Sequence, residues 1–202
     1  MPRLGLFESL VWEPYTNNSS ETVPAWGMIV ITSAAVVTRS RLRHQCDRPG
    51  TTFYRDFAVN GPYAVLAGEK GDCTRTSPCP ALYLSGTPAL GETWGLKPAQ
   101  FQLQKDFPGC IIDGIIRGED TLAQVRLLPI TQLIGKTTGA ITGGTSSTTS
   151  YRIYSGVPFA GSDAGFTTVD AAYSKVNIDS GLWIKITYLN GYPVLEQLEC
   201  NA

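Results

Sequence analysis

Short apolar runs, some alternating with polar residues and bounded by turn residues, recur along the whole chain. No window places apolar residues at i, i+3, i+4 and i+7 for three turns, so no amphipathic helix is predicted. The runs 28–37, 53–59, 63–67, 81–84, 111–116, 122–128, 151–154, 165–169, 182–188 and 194–198 read as strands. The fold class is all-β: a β-sandwich or barrel-like main domain with a smaller C-terminal β domain. Asn60-Gly61-Pro62 breaks two of the runs, and Glu69-Lys70-Gly71-Asp72 reads as a polar loop tip.

The end of the chain has the sharpest pattern. Leu182, Ile184, Ile186 and Tyr188 fall on one face of a strand, with Lys185, Thr187 and the exceptional Trp183 on the other. Asn190-Gly191 supplies the positive φ angles of a type I′ turn, so 182–198 is a hairpin. Upstream, residues 137–150 form a Gly/Ser/Thr tract without charge, a flexible linker by composition or an exposed loop. We place a boundary there. The organisation expected is an N-terminal arm over 1–17, a main domain over 18–136, a linker over 137–150 and a small domain over 151–202. Asn17-Asn18-Ser19-Ser20 sets the arm apart. Its anchors on a neighbouring subunit are Leu4, Leu6, Phe7, Leu10, Val11 and Trp12, because an apolar tail is costly to leave in water.

Composition narrows the function classes. The 202 residues carry 16 Lys plus Arg against 17 Asp plus Glu, a net charge of −1, with no global field to attract nucleic acid or an anionic membrane. Charged residues make up 16%, well below the usual share, which fits a surface covered by neighbours in an assembly. Hydrophobic content of 43% supplies a core. Glu8 breaks the N-terminal apolar run too early for a signal peptide, so a soluble chain made in the cytoplasm is expected. Free thiols are then the default for Cys46, Cys73, Cys79, Cys110 and Cys200, with a Cys73–Cys79 bridge sterically possible.

Candidate chemistry is sparse. His44 is the only histidine, the Gly-x-Ser-x-Gly elbow is absent, and His44, Cys46, Cys73 and Cys79 match no zinc spacing. Gly135-Lys136-Thr137 lacks the upstream glycine of a phosphate loop, since that position is Ile130. No catalytic residue, metal or cofactor is expected, and no enzymatic activity. Arg39, Arg41 and Arg43 alternate, so on a strand all three project from one face, either as a docking patch for an acidic partner or as the solvated face of an edge strand. Trp12, Trp26, Trp94 and Trp183 read as core or subunit-contact anchors rather than a sugar platform. Trp183, opposite the apolar face, is the exposed candidate for glycan stacking in an alternative reading.

Four stretches carry a resemblance. Residues 18–28, Asn-Ser-Ser-Glu-Thr-Val-Pro-Ala-Trp-Gly-Met, resemble a polar-Glu-Thr-Val-Pro-aromatic lead into a first long strand. Val59-Asn60-Gly61-Pro62, running on to Gly68 and Gly71, is the second. Leu90-Gly91-Glu92-Thr93-Trp94-Gly95-Leu96-Lys97-Pro98 with Phe107-Pro108-Gly109 is similar to a Gly-acid-x-Trp-Gly-x-x-Pro…Pro-Gly signature. The fourth, over 151–156, 169–176, 180–183 and 198–200, resembles a small closing β module. Together they are similar to structural virion proteins of tailed bacteriophages, components of the head, neck or tail exterior. Ala99-Gln100-Phe101 departs from the Gly-Ser-Trp-like triplet of that group. The resemblance implies a non-enzymatic capsid-associated decoration or fibre-base protein, or else a tail, neck or baseplate component or the host-glycan-binding module of a fibre. It implies virion location and other virion proteins as partners, with a homo-oligomer, a host surface glycan as a further partner, and neither nucleic acid nor membrane. Arg39, Arg41 and Arg43, with Leu6, Phe7, Leu10 and Trp12, are then the docking residues.

Overall fold

The computed structural model describes residues 10–38, 41–53, 55–130, 132–155, 159–190 and 192–199. Every regular element among them is a strand, so the chain is all-β. It divides into two compact units: 1–50 with 54–129, and 130–202 with 51–53.

In the first unit, β1 (Glu13–Asn17), β2 (Met28–Thr38), β3 (Arg41–Asp47), β4 (Phe57–Asn60) and β5 (Lys70–Thr74) close a barrel in the order β1-β3-β2-β4-β5. β1 runs parallel to β3, with Tyr15 opposite His44, and antiparallel to β5, with Glu13 opposite Cys73. The arm expected over 1–17 therefore does not include 13–17, and its first nine residues lie outside the described ones. Residues 13–17 are a barrel strand, because β3 and β5 have no other partner to close on. The barrel is filled by Tyr15, Val23, Ile29, Ile31, Cys46, Ala58, Val65, Cys73 and Phe101. The 69–72 stretch is also not a loop tip: its turn is earlier, at Gly68 (φ +76), and Lys70 and Asp72 are the outward residues of β5. The inward Gly71 is glycine for steric reasons. A Cβ there sits 2.6 Å from Val65 Cγ2 and 2.8 Å from Tyr15 Cε1.

The same unit contains a five-stranded sheet, ordered β6-β10-β9-β7-β8, from β6 (Cys79–Leu82), β7 (Thr93–Gly95), β8 (Gln104–Lys105), β9 (Gly109–Ile115) and β10 (Leu122–Leu127). Its centre explains the Gly-acid-x-Trp-Gly signature. Glu92 accepts the Ala89 N–H at 2.9 Å and the indole N–H of fully buried Trp94 at 3.0 Å, and Lys105 donates to its other oxygen. A Cβ on Gly95 falls 1.8 Å from the Pro108 carbonyl oxygen. These residues lock a fold.

The second unit is a closed barrel, β11-β12-β13-β15-β14, built from β11 (Gln132–Thr137), β12 (Ser146–Ser155), β13 (Ser162–Ser174), β14 (Trp183–Leu189) and β15 (Tyr192–Gln197). The β14–β15 hairpin has Leu189 opposite Tyr192, with Asn190 at φ +50. The Gly/Ser/Thr tract is not a linker. Thr137 lies in β11 and 146–150 in β12, and between them Ile141, 2% exposed, bridges to Ile178. Hydroxyl-rich strands hid the barrel from a composition reading. The domain boundary moves accordingly, from the linker to Pro129–Ile130.

The two barrels share one cycle of pairings. In the second, strands one to five run 1-2-3-5-4 around the barrel, with the third and fifth parallel. Counting the first barrel from β4, so that β4, β5, β1, β2 and β3 become one to five, gives the same order and the same parallel pair.

Candidate functional site

Two features of the first unit project chemistry outward. One is a ribbon. β2 pairs β4 only over 28–30 and β3 pairs β1 only over 44–46, whereas β2 and β3 pair with each other from Val30–Asp47 to Thr38–Arg41. Residues 32–38 and 41–43 thus form a two-stranded extension whose outer edges pair with no described strand. Thr32, Ser33, Ala34 and Leu42 are exposed on it. Arg39 lies outside the described residues, as do Leu6 and Phe7. Arg41 is described only by its backbone, opposite Thr38. Arg43 is half-buried with its Nε buried and unpartnered among the described residues, so it is not simply a solvated arginine. Below the ribbon Glu13 takes Arg75 at 2.9 Å and His44 Nε2 at 2.5 Å. Burial works to raise the Glu13 carboxyl, yet the bonds from Arg75 and His44 hold it below its ordinary value. His44 is thereby a buried structural partner. Among the described residues no three His, Cys, Asp or Glu gather as metal ligands, so His44, Cys46, Cys73 and Cys79 form no such set. Cys73 and Cys79 are unbridged and buried.

The second feature is an open cleft of about 750 Å³, lined by Trp12, Trp26, Tyr63, Lys70, Asp72 and the Asn60–Pro62 turn among others. It grows from two turns. Pro24-Ala25-Trp26-Gly27 closes with the Gly27 N–H on the Pro24 carbonyl at 3.1 Å, with Trp26 at φ +60. Positive φ at the third position of such a turn suits glycine or asparagine, and strains a bulky side chain. The second turn begins at buried Asn60. Its Nδ2 donates to the carbonyls of Pro24 and Tyr63, each at 2.8 Å, while its Oδ1 accepts the Tyr15 hydroxyl. The Trp26 N–H donates to Gly61 at 3.0 Å, and the Gly61 N–H to Asp72 at 2.8 Å. A closed net of main-chain bonds therefore holds the cleft open.

Its walls are aromatic. Trp12 and Trp26 stand 6.2 Å apart at 44°, both half-buried, and Tyr63 is 79% exposed. Trp12 and buried Leu10 fold onto their own unit, where the Val11 N–H donates to Thr76 at 3.0 Å. Leu10 is thus packed on its own barrel by the strand it leads into, while Trp12 keeps part of its ring open to the cleft. Lys70 and Asp72 flank the rim, and no described residue hydrogen-bonds or ion-pairs with either side chain.

Trp183 does not serve as the glycan face. It is 6% exposed, with Tyr154 at 4.8 Å, Phe159 at 5.9 Å and the Lys136 ammonium 4.5 Å above its ring. The outer face of β14 is covered at Trp183, while Lys185 and Thr187 stay half-exposed, so alternation along the strand misjudged the exposure of that one ring. Trp94 is fully buried core, whereas Trp26, Tyr63, Lys70 and Asp72 form a site that the sequence pattern does not reveal. The Asn60-Gly61-Pro62 break was visible; its meeting with the 24–27 turn was not.

The class these features define is an all-β protein of two closed barrels and a sheet, with an extended ribbon and an aromatic cleft. Comparison with known proteins adds no relative: no family model, no curated protein and no solved structure matches the chain.

Proposed function

We propose that this chain is a non-enzymatic structural component of a bacteriophage virion, a capsid-associated decoration or fibre-base protein. It docks on neighbouring virion subunits through the β2–β3 ribbon. The observation that carries this reading is the ribbon itself, which extends beyond the barrel with both edges unpaired among the described strands and with Arg41 and Arg43 on one of them. Free edges offer main-chain hydrogen bonds to an added strand, and arginine forks suit acidic partners. Supporting it are the resemblance of the four sequence stretches and the low charge of the chain. A tail, neck or baseplate position uses the same ribbon in the same way.

The test starts from particles purified from an induced culture of the source organism. The chain is expected among the particle proteins by mass spectrometry. The R39E/R41E/R43E variant is expected to fold, by far-ultraviolet circular dichroism, and to remain in the soluble fraction. Absence of the chain from particles overturns the virion reading. Particle association that survives the triple reversal overturns the ribbon as the docking element.

A further inference from the structure

We propose that the Trp12–Trp26–Tyr63 cleft binds a neutral saccharide. Its sugar rings stack on the aromatic walls, with hydroxyls bonded to the Asp72 carboxylate and the Lys70 ammonium. The proposal does not rest on the virion reading, since it concerns only what the purified chain binds.

Size comes first: about 750 Å³ lies within the range of small-molecule sites and has room for a short oligosaccharide. Shape is next. Three aromatic side chains border one open space, and Tyr63 holds its ring 79% exposed. Ring faces carry negative quadrupole density, which the C–H bonds on a pyranose face complement. Trp26 adds a separate argument. A glycine would relieve the backbone at φ +60, yet the position holds the largest side chain available, and strain of this kind gathers at ligand sites.

The rim selects the class of ligand. Lys70 offers only donors and Asp72 only acceptors, on alternate outward positions of β5. Their charges cancel, so a cation such as a quaternary ammonium meets Lys70 and an anion meets Asp72. Single-stranded nucleic acid needs a positive groove, which one compensated lysine does not make. A polyproline peptide fits aromatic walls but has no N–H for Asp72 to accept from. A sugar hydroxyl both donates and accepts, and a ring with several of them satisfies both groups at once. Affinity also gains from rigidity, because Asn60 and the main-chain bonds hold both turns before any ligand arrives.

The experiment uses the full chain with maltohexaose, cellohexaose and chitohexaose as probes, and decaproline, choline and heparin as counter-probes. Saturation-transfer nuclear magnetic resonance and calorimetry read the binding. At least one neutral hexasaccharide is expected to bind saturably and more tightly than any counter-probe. Tyr63→Ala, which removes an exposed ring and leaves the core intact, is expected to weaken that binding about tenfold, as is Asp72→Asn. Trp26→Gly abolishes it. Binding of none of the three hexasaccharides overturns the proposal, as does binding unchanged in Tyr63→Ala and Asp72→Asn, or tighter binding of decaproline, choline or heparin.

Discussion

Replacing Trp26 separates backbone strain from side-chain packing, because glycine and alanine remove the same indole but leave different backbones. Trp26 sits at φ +60 in a turn closed by the Gly27 N–H on the Pro24 carbonyl. A non-glycine residue in that left-handed region costs about 1–2 kcal/mol. Glycine, with its freer unfolded chain, forfeits roughly 0.5–1 kcal/mol in an ordinary position. The difference leaves Trp26→Gly more stable than Trp26→Ala by about 0.5–1 kcal/mol, opposite to the usual order. With a urea slope of about 1–3 kcal/mol per molar, the glycine variant unfolds at a midpoint higher by some tenths of a molar. Urea titration of both variants, followed by far-ultraviolet circular dichroism, measures this directly. A Trp26→Ala protein as stable as Trp26→Gly, or more so, refutes the strain and with it one argument for the cleft.

Three further outcomes follow from the packing. The bond from Lys105, then the Ala89 N–H and the Trp94 indole, hold the Glu92 carboxyl at about 2, below its ordinary 4.5, so its contribution is complete above pH 4.5 and lost as pH falls through about 2. Glu92→Gln is expected to flatten the fall of the thermal midpoint across that window. Gly95→Ala drives a Cβ to 1.8 Å from the Pro108 carbonyl oxygen, where only backbone can yield, so its cost exceeds the roughly 1–3 kcal/mol of ordinary overpacking. Gly91→Ala, with open space at φ +83, is expected to cost only about 1 kcal/mol, and the two urea midpoints distinguish them. Trp183→Ala removes a 6% exposed ring and is expected to destabilise the second barrel by about 3–5 kcal/mol while leaving hexasaccharide binding unaltered. Altered binding at unchanged stability counts against its core placement.

What the sequence revealed depends on how local the signal was. The β14–β15 hairpin was legible because one strand alternates cleanly and its turn needs the Asn-Gly pair. β1 was not, since Glu13-Pro14-Tyr15-Thr16-Asn17 has little apolar pattern and acquires its strand from β3 and β5, whose partners lie 29 and more positions away. β5 looked like a loop because Lys70 and Asp72 face water and the inward position is Gly71, small to make room for the Tyr15 ring. Hydroxyl residues of β12 imitated a linker for a similar reason: each is polar, but the strand they form is paired along its length. The cleft was hidden at a higher level. Trp12, Trp26 and Tyr63 belong to three separate segments, and only barrel closure brings them together.

The shared cycle of the two barrels makes the first one rewireable. Its entrance and exit are neighbours, since Glu13 at the start of β1 lies opposite Cys73 near the end of β5. A few added residues could splice those ends, and a cut between β3 and β4 would supply new ones without breaking any strand. The recut barrel would then thread its strands in the order that the second barrel follows along its own chain. The cut falls across 48–56, the stretch from which Thr51–Phe53 leaves to join the second unit, with the Thr51 carbonyl accepting the Thr167 N–H and Phe53 against Phe166. That cut also severs the segment the second barrel borrows, so the recut first barrel and the second barrel's Thr51–Phe53 pairing cannot both keep their native connections.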